Sequence, residues 1–463
     1  MTNDDIDELK ARRICFNCIG EPHLQGEIKS KGKRERCFYC KSTAETYSLE
    51  ELSRPVGKAF EDHYFQLSDD PDDNGVPVID AIEDATEIPR EAAEDLQQVL
   101  ADINYDHRAA TQGEDSPFSD DSFYEEKGVS EWSWKFEWDN FERSLKSEAR
   151  FFSRSAAAYL ASVFVGIDKM VTHDGSPIIV DAGPSTAFNK IYRARVFQSH
   201  DKLKEALCYP DKQLGPPTMP NANAGRMNAR GISVFYGANE AQVAIAEVRP
   251  PVGSQVAVAR FEIIRRVRLL NLAGLTSVNA CVSIFEVDSV QRLERASFLR
   301  TLTERMTRPV MPDDEAFEYL PTQAVADFLA TENDPTVDGV LFPSAQAAGA
   351  ALNIILFHKA ALVEAIDFPN GTEISASTGL HGSDGWEPWY SVSEKVPLKE
   401  KGDTDESALF SAALFVDASR DLRSDSREPT LRIDLDSIKV HVVNKVQFEC
   451  EEHNVHRHRS EKK

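Results

Sequence analysis

The spacing of hydrophobic residues changes once along the chain, near residue 190. From Leu49 to about Val171 apolar residues recur every three or four positions, as on one face of an α-helix. After residue 190, short runs alternate between apolar and polar residues, as in β-strands. The helical segments are 48–65, 89–101 and 138–152, and the strand segments are 191–197, 231–236, 256–264, 267–272, 338–342 and 353–357. The pattern predicts an α+β fold in which a helical part precedes a curved sheet.

Aromatic residues mark one side of the last helical segment. Trp134, Trp138, Phe141 and Leu145 lie three or four positions apart, so they share one stripe of the helix. Such a stripe predicts a packed core rather than a cofactor site. The acidic stretch Gln112–Glu126 is rich in Ser and Asp and contains a proline, which indicates a break between helices.

A short window, residues 224–249, contains a cation, an aromatic ring and a carboxylate at regular intervals. Arg226, Tyr236 and Glu247 are ten and eleven residues apart. This spacing makes the three side chains candidates for one site.

The local pattern predicts a strand followed by a helix within that window. The strand covers Gly231–Gly237, with apolar residues at alternating positions. We expect Asn239 to cap the following helix with Gln242 three residues on, and Pro250-Pro251 to end it. Glu247 lies one turn after a core position, so its carboxylate should border the apolar face of this helix.

Composition divides the chain into six segments. We predict a zinc module at 1–50, a helical domain with an acidic loop at 51–175 and a strand-rich domain at 185–370, which the resemblance described below implies to be catalytic. Residues 371–428, rich in Ser, Gly, Asp and Glu, predict a partly disordered insertion. Residues 429–452 alternate well enough for two closing strands. Residues 453–463, with His453, His456 and His458, predict a frayed tail, although three histidines would also chelate a metal.

The net charge of −25 is concentrated in one part of the chain. Between Glu61 and Glu126 there are 21 acidic residues against Arg90 and Arg108, which gives 2 − 21 = −19. We interpret this run as a solvated face, with mimicry of nucleic acid as a minor alternative. Strong acidity disfavours non-specific binding to nucleic acid or an anionic membrane. No run of eighteen apolar residues and no secretory signal occurs, so we expect a cytoplasmic protein.

Four of the seven cysteines have the spacing of a zinc site. Cys15 and Cys18 form one Cys-x-x-Cys pair, and Cys37 and Cys40 form a second pair after eighteen residues. Four thiolates close a tetrahedral shell and leave no position for water, so we predict a structural zinc. The basic stretch between the pairs, 29–36, is expected to face water. Cys208, Cys281 and Cys450 are scattered and are expected to be core thiols.

Several short motifs together resemble the RES domain, the toxin half of a bacterial toxin-antitoxin family. The resemblance covers roughly 190–363, and the segments that carry it are 192–193, 225–228, 231–236, 246–247, 319–323, 338–344 and 353–357. The N-terminal part resembles the zinc-knuckle and HEPN-like extension that some RES proteins carry.

This resemblance implies an ADP-ribosyltransferase-like fold and an enzyme that consumes NAD. It implies phosphorolysis, hydrolysis or transfer of ADP-ribose to a protein, with inorganic phosphate as one acceptor. Position by position, the catalytic residues would be Arg226, Tyr236, Glu247 and Ser344. Arg193 matches the arginine of the first strand, with Arg195 two residues away on the same face. RES toxins typically pair with an antitoxin, and many self-associate.

The residue types suit cleavage of the bond between nicotinamide and ribose. Nicotinamide leaves as a neutral ring while positive charge builds on the ribose, so a carboxylate such as Glu247 stabilises the transition state more than the ground state. Arginines 193 or 195 and 226 offer planar donors for the diphosphate. Tyr236 would stack on a ring, and Ser344 would orient the nicotinamide amide or the nucleophile. Asn228 would bind phosphate or close a turn.

Two other classes of function remain open from the sequence. A HEPN ribonuclease needs an arginine followed by a histidine after four to six residues. Arg54 and His63 are too far apart, whereas Arg195 and His200 have the required spacing but lie in the strand-rich part of the chain, where a chance match is expected. The second alternative is a module in which the zinc knuckle binds nucleic acid or a partner and the RES-like part is inert.

Overall fold

The computed structural model describes residues 3–67, 75–105, 117–280, 282–344, 346, 351–382, 385–397, 425–447 and 450–459. The chain divides into two compact units. The first comprises Met1–Glu137 and Asn279–Leu299, and the second comprises Trp138–Val278 and Arg300–Lys463. Residues 279–299 belong to the first unit although they lie far along the sequence from its other residues. The six-segment division stays a prediction.

The first unit combines helices with two small antiparallel sheets. Its helices are Asn3–Ala11, Pro22–Lys31, Leu49–His63, Val78–Thr86 and Arg90–Ile103. Its strands are β1 (Arg13–Cys15), β2 (Lys33–Arg36), β3 (Thr43–Ser48), β4 (Tyr64–Leu67), β5 (Val76–Pro77) and β6 (Phe123–Glu126). The sheet orders are β1-β3-β2 and β4-β6-β5. The cysteine-bearing segment and the helices contribute to one hydrophobic core.

The helix Leu49–His63 illustrates how the sequence fixes these elements. The Ser48 hydroxyl accepts a hydrogen bond from the Glu51 N–H at 3.1 Å, and the Glu51 carboxylate accepts one from the Ser48 N–H at 2.8 Å. This reciprocal cap satisfies two donors that would otherwise lack partners at the start of the helix. Apolar residues three or four positions apart, such as Leu52 and Val56, are fully buried on its inner face.

The second unit contains an eight-stranded mixed sheet. Its strands are β7 (Ile179–Ala182), β8 (Lys190–Phe197), β9 (Phe235–Ala238), β10 (Gln255–Ile263), β11 (Val267–Asn271), β12 (Gly339–Pro343), β13 (Leu352–Leu356) and β18 (Leu431–Val442). The order is β18-β10-β8-β9-β13-β12-β11-β7. Only β11 and β12 pair in parallel among these described strands, and the other neighbours are antiparallel. The α+β class is confirmed.

Helices and two hairpins complete the second unit. The helices are Arg154–Phe164, His200–Cys208, Pro210–Gln213, Ala241–Glu247, Leu272–Leu275, Glu315–Glu318 and Leu320–Thr331. The helices Trp132–Ser147 and Ser289–Thr307 each begin in residues of the first unit and end in residues of the second. The hairpin strands are β14 (Glu373–Ser377), β15 (Leu380–Gly382), β16 (Gly385–Glu387) and β17 (Ser391–Lys395). Across its described residues the chain has no helix with the length and apolarity that a membrane crossing needs.

Three local predictions need correction. The strand expected from Gly231 begins at Phe235, because the preceding residues belong to a loop. The next helix has Glu240 as its N-cap, whereas the Asn239 side chain accepts a hydrogen bond from the Leu352 N–H at 2.9 Å and so joins the edge of β13. The two strands expected in 429–452 are one strand, β18, which follows the length of β10.

Of the other predictions, some are confirmed, one is wrong and some concern residues outside the described ones. Trp138, Phe141 and Leu145 are buried, as the aromatic stripe predicts. Cys208 is buried, but Cys450 is exposed, so its prediction as a core thiol is wrong. Residue 281 lies outside the described residues, as do 68–74, 106–116 and 398–424, which contain much of the acidic run and of the expected insertion.

Candidate functional site

A cavity of about 490 Å³ in the second unit brings the predicted residues together. The four central strands of the sheet, β8, β9, β13 and β12, contribute to its lining together with the helix Ala241–Glu247 and a loop that follows the helix Ser289–Thr307. The lining includes Arg193, Gly225, Arg226, Tyr236, Glu247, Arg249, Glu315, Tyr319, Gln346 and Asn353. Its volume falls in the range of about 300–1,000 Å³ that is usual for small-molecule sites.

Glu247 is held at one edge of this cavity by two neutral donors. The Ser344 hydroxyl donates to Glu247 Oε1 at 2.5 Å, and Asn353 Nδ2 donates to the same oxygen at 2.9 Å. Both contacts use Oε1, so Oε2 has no hydrogen-bond partner among the described residues. Glu247 is exposed, whereas Asn353 is only 6% exposed. The carboxylate is therefore fixed through one oxygen and presents the other to the space in front of it.

Arg226 fastens its loop to the end of a helix. Its Nη1 donates to the Met306 carbonyl at 3.0 Å and its Nη2 donates to the Arg308 carbonyl at 2.9 Å. The guanidinium also lies 5.0 Å from the centre of the Tyr319 ring. These contacts use two of the five N–H donors of an arginine. Arg226 thus has a structural role in addition to its position in the cavity wall.

Tyr236 and Asn228 brace the loop that carries Arg226. The Tyr236 hydroxyl donates to Asn228 Oδ1 at 2.8 Å and accepts from the Met227 N–H at 3.1 Å. Burial raises the pKa of Tyr236 to about 12, so the phenol is neutral at physiological pH. A Cβ at Gly225 would lie 2.6 Å from the Tyr236 hydroxyl oxygen, which explains why a glycine precedes Arg226.

The polar atoms of Asn228 are all engaged within the loop. Its Nδ2 lies within hydrogen-bond distance of three backbone carbonyls, those of Asn223, Ala229 and Ile232, and its Oδ1 accepts from Tyr236. Asn228 is buried. Of its two expected roles, the geometry favours closing the loop, and its place among the NAD-binding residues stays a prediction.

Arg193 crosses from β8 toward β9 at a place where these strands approach closely. Its Nη1 donates to the Tyr236 carbonyl at 3.2 Å, and its guanidinium lies 4.9 Å from the centre of the Phe235 ring. A Cβ at Gly237 would lie 2.8 Å from a backbone carbonyl of β8, so only glycine permits this approach. Burial and the neighbouring Arg195 lower the pKa of Arg193 to about 9, which leaves it cationic at neutral pH.

Sequence reasoning missed two residues of the cavity. Asn353 lies next to Glu247 although 106 positions separate them, and its Oδ1 is buried without a partner in the described residues. Tyr319 donates to a Glu315 carboxylate oxygen at 3.1 Å beside Arg226. Both residues fell within segments that carry the resemblance, but the sequence alone does not show that Asn353 contacts Glu247, because this contact depends on how β13 pairs with β9.

The first unit holds the predicted metal cluster. The Sγ atoms of Cys15, Cys18, Cys37 and Cys40 all lie within 4.8 Å of one another, and the shorter separations are 3.5–3.8 Å. A tetrahedral zinc with Zn–S bonds of about 2.3 Å requires sulfurs about 3.8 Å apart. The cluster therefore fits a structural zinc. The three tail histidines are exposed and form no such cluster in the described residues.

The two arginine–histidine pairs considered for a HEPN nuclease, Arg54 with His63 and Arg195 with His200, do not form a site in the structure. Arg54 is exposed and pairs with Glu50, whereas His63 is buried and its Nε2 lies 2.8 Å from the Ser289 hydroxyl. Nine positions on one helix place the two side chains on opposite faces. Arg195 and His200 belong to different elements, a strand and a helix.

Comparison with known families identifies one domain in the chain. Residues 190–374 match the family model described as RES domain. The match contains Arg193, Arg226, Tyr236, Glu247 and Ser344. The searches of curated proteins and of solved structures found no match.

Proposed function

From the premise that residues 190–374 are a RES domain, we propose that the second unit cleaves the bond between nicotinamide and ribose in NAD. The cavity around Glu247 would be the active site, and the unit would share the ADP-ribosyltransferase-like fold implied by the resemblance. The products would be nicotinamide and an ADP-ribosyl group transferred to phosphate, water or a protein. The match to the family supports an NAD-related function, and the geometry of the cavity supports this specific reaction.

One observation carries the proposal: a carboxylate and several arginines line one cavity without pairing with each other. Among the described residues, Arg193 and Arg226 donate hydrogen bonds to backbone carbonyls and neither forms an ion pair with Glu247. An anionic diphosphate next to Arg193 and Arg226 would place the cationic nicotinamide ribose toward Glu247. The side chains thus match a substrate with negative charge in its middle and positive charge at one end.

Each side chain of the cavity would have a separate role in the reaction. The free Oε2 of Glu247 would face the ribose and stabilise the positive charge that develops as nicotinamide leaves. Ser344 and Asn353 hold Oε1 and so fix the direction of the carboxylate. Arg193 and the remaining donors of Arg226 would bind the diphosphate, and the Tyr236 ring would lie against a ring of the substrate.

The first unit would serve as a zinc-stabilised module that regulates the second. We propose one structural zinc at its four-cysteine cluster and a cytoplasmic location for the whole chain. An antitoxin-like partner and self-association belong to the same proposal, as implied by the family. Neither the HEPN nuclease nor the inert binding module is favoured by a specific contact in the described residues.

The direct test is to incubate the purified full chain with NAD, with and without inorganic phosphate, and to identify the products by mass spectrometry. Release of nicotinamide supports the proposal, and the second product identifies the acceptor: ADP-ribose phosphate, ADP-ribose or a modified protein. A folded, zinc-loaded protein that leaves NAD intact under all these conditions would contradict it.

A further inference from the structure

A second cavity of about 480 Å³ adjoins the candidate site. Arg193, Gly225 and Tyr236 line both cavities, so the two spaces share a wall. The second cavity extends along β8 to Arg195 and is also lined by Asn221 and Asn223. Arg195, Asn221 and Asn223 line this second cavity and not the first.

Arg195 is a cation in the wall of this second cavity. Its Nη2 donates to the Gly215 carbonyl at 2.9 Å, which uses one of its five N–H donors. Arg193 and Arg195 are two positions apart on one strand, so they emerge on the same face about 7 Å apart. Burial lowers the pKa of both guanidinium groups, and each remains a cation at neutral pH.

Neither arginine has an acidic partner in the described part of the chain. Their hydrogen bonds go to the backbone carbonyls of Tyr236 and Gly215. Two cations on adjacent inward positions of a strand repel each other, and removal from water makes this repulsion stronger. A bound anion would relieve both costs. Asn221 and Asn223 contribute neutral polar groups to the same wall rather than charge.

We propose that Arg195 and the second cavity form a subsite for a phosphate group, placed beside the NAD cavity and bounded by Arg193. The planar fork of Arg195 suits two phosphate oxygens at once. The inference rests on the proposed function, because it assumes that the neighbouring cavity holds NAD. The phosphate would come from one of two sources, inorganic phosphate or a phosphate carried by the dinucleotide itself.

If the source is inorganic phosphate, the subsite holds the acceptor. A phosphate oxygen would form a bond to C1′ of the nicotinamide ribose while the bond from C1′ to the ring nitrogen breaks. The electron pair of that bond leaves with nicotinamide, which becomes neutral, and ADP-ribose phosphate remains. No oxidant and no further co-reactant is required. If the source is the dinucleotide, Arg195 would instead favour a ligand with an additional phosphate, such as NADP.

Three variants of the full chain test the subsite. Arg195→Gln removes the cation, Arg195→Lys keeps the charge without the planar fork, and Asn223→Asp adds a negative charge to the same wall. Arg230→Gln is the matched control, because Arg230 is exposed and lines neither cavity. The first measurement is the affinity for inorganic phosphate alone, by titration calorimetry. We expect about tenfold or greater weakening in Arg195→Gln and in Asn223→Asp, less in Arg195→Lys, and no change in the control.

The second measurement distinguishes the two sources. With phosphate as acceptor, nicotinamide release depends on phosphate, and Arg195→Gln raises the phosphate concentration for half-maximal rate while KM for NAD stays constant. With a dinucleotide phosphate, Arg195→Gln raises KM for NADP more than KM for NAD. The subsite is refuted if folded Arg195→Gln and Asn223→Asp retain wild-type phosphate affinity, phosphate dependence and NADP preference. Phosphate binding that depends on Arg195 in a protein that never cleaves NAD would support the subsite and refute only the proposed reaction.

Discussion

Replacement of Glu247 by glutamine separates the charge of this side chain from its contacts. Glutamine has the same shape, and its Oε1 would still accept from Ser344 and Asn353, as the carboxylate oxygen does at 2.5 and 2.9 Å. The fold around the cavity should therefore be retained. Only the negative charge on the oxygen that faces the cavity is lost.

The size of the effect follows from the role proposed for that charge. A single electrostatic contact to the developing charge of a transition state is worth about 3–4 kcal/mol, or roughly a hundredfold to a thousandfold in rate. Stability should change by no more than about 0.5 kcal/mol, because Glu247 is exposed and its hydrogen bonds persist. Glu247→Ala is expected to differ, since it leaves the Asn353 amide without any described partner at a cost of about 1–3 kcal/mol.

The assay is the initial rate of nicotinamide release from NAD, with the thermal midpoint measured on the same samples. Glu240→Gln is the matched control: it makes the same substitution at the N-cap of the same helix, outside the cavity. We expect wild-type rates from Glu240→Gln and a large loss from Glu247→Gln at unchanged midpoint. A Glu247→Gln protein with at least half of the wild-type rate would show that the carboxylate does not stabilise the reaction.

Three further predictions concern other parts of the structure. Asn353→Leu should lower kcat for nicotinamide release by about tenfold to a hundredfold with little change in KM, because Glu247 loses a neutral donor that directs it. Tyr236→Phe should lower the free energy of unfolding by about 1–3 kcal/mol. Burial raises the pKa of Tyr236 to about 12, so its stabilisation is present below about pH 10 and declines above it, and the phenylalanine variant should lose less stability over that range in urea unfolding. Cys37→Ser should reduce bound zinc from one per chain to a small fraction by metal analysis and unfold the first unit, whereas Cys208→Ser should retain the metal.

Elements with a strong local pattern could be predicted from the sequence. β8, β10, β11, β12 and β13 lie within one or two residues of their predicted positions, because alternation of apolar residues reports burial on a sheet directly. The cysteine cluster was also predictable, since the spacing of the two Cys-x-x-Cys pairs encodes the tetrahedron. Five of the predicted site residues lie in or beside one cavity.

Long-range pairing could not be predicted in the same way. Asn239 has the residue type of a helix cap, but tertiary pairing engages it with β13 instead. The contact of Asn353 with Glu247 depends on the register of β13 against β9, which local pattern does not specify. The assignment of residues 279–299 to the first unit could not be predicted either, because a helical pattern does not indicate which hydrophobic core the helix packs against. Removal of the N-terminal 160 residues would therefore remove Trp134, whose ring stacks on the buried ring of Phe298 at 6.1 Å between centroids.

The charges of the cavity also explain why ligand binding should stabilise the second unit. Arg193 and Glu247 line the same space, yet each is held by neutral groups: a backbone carbonyl for the arginine, a hydroxyl and an amide for the glutamate. Direct pairing would neutralise both groups and leave neither for a substrate. In the empty protein this separation costs stability mainly at Arg193, because a buried charge without a counter-charge is unfavourable. A substrate with an anionic diphosphate and a cationic ring would supply a counter-charge to each group, so it should bind the folded unit selectively. At a hundredfold excess over Kd, such a ligand stabilises the folded unit by about 2.7 kcal/mol. Arg193→Gln should diminish this stabilisation by weakening the binding of the diphosphate, and Glu247→Gln should diminish it by weakening the binding of the nicotinamide ribose.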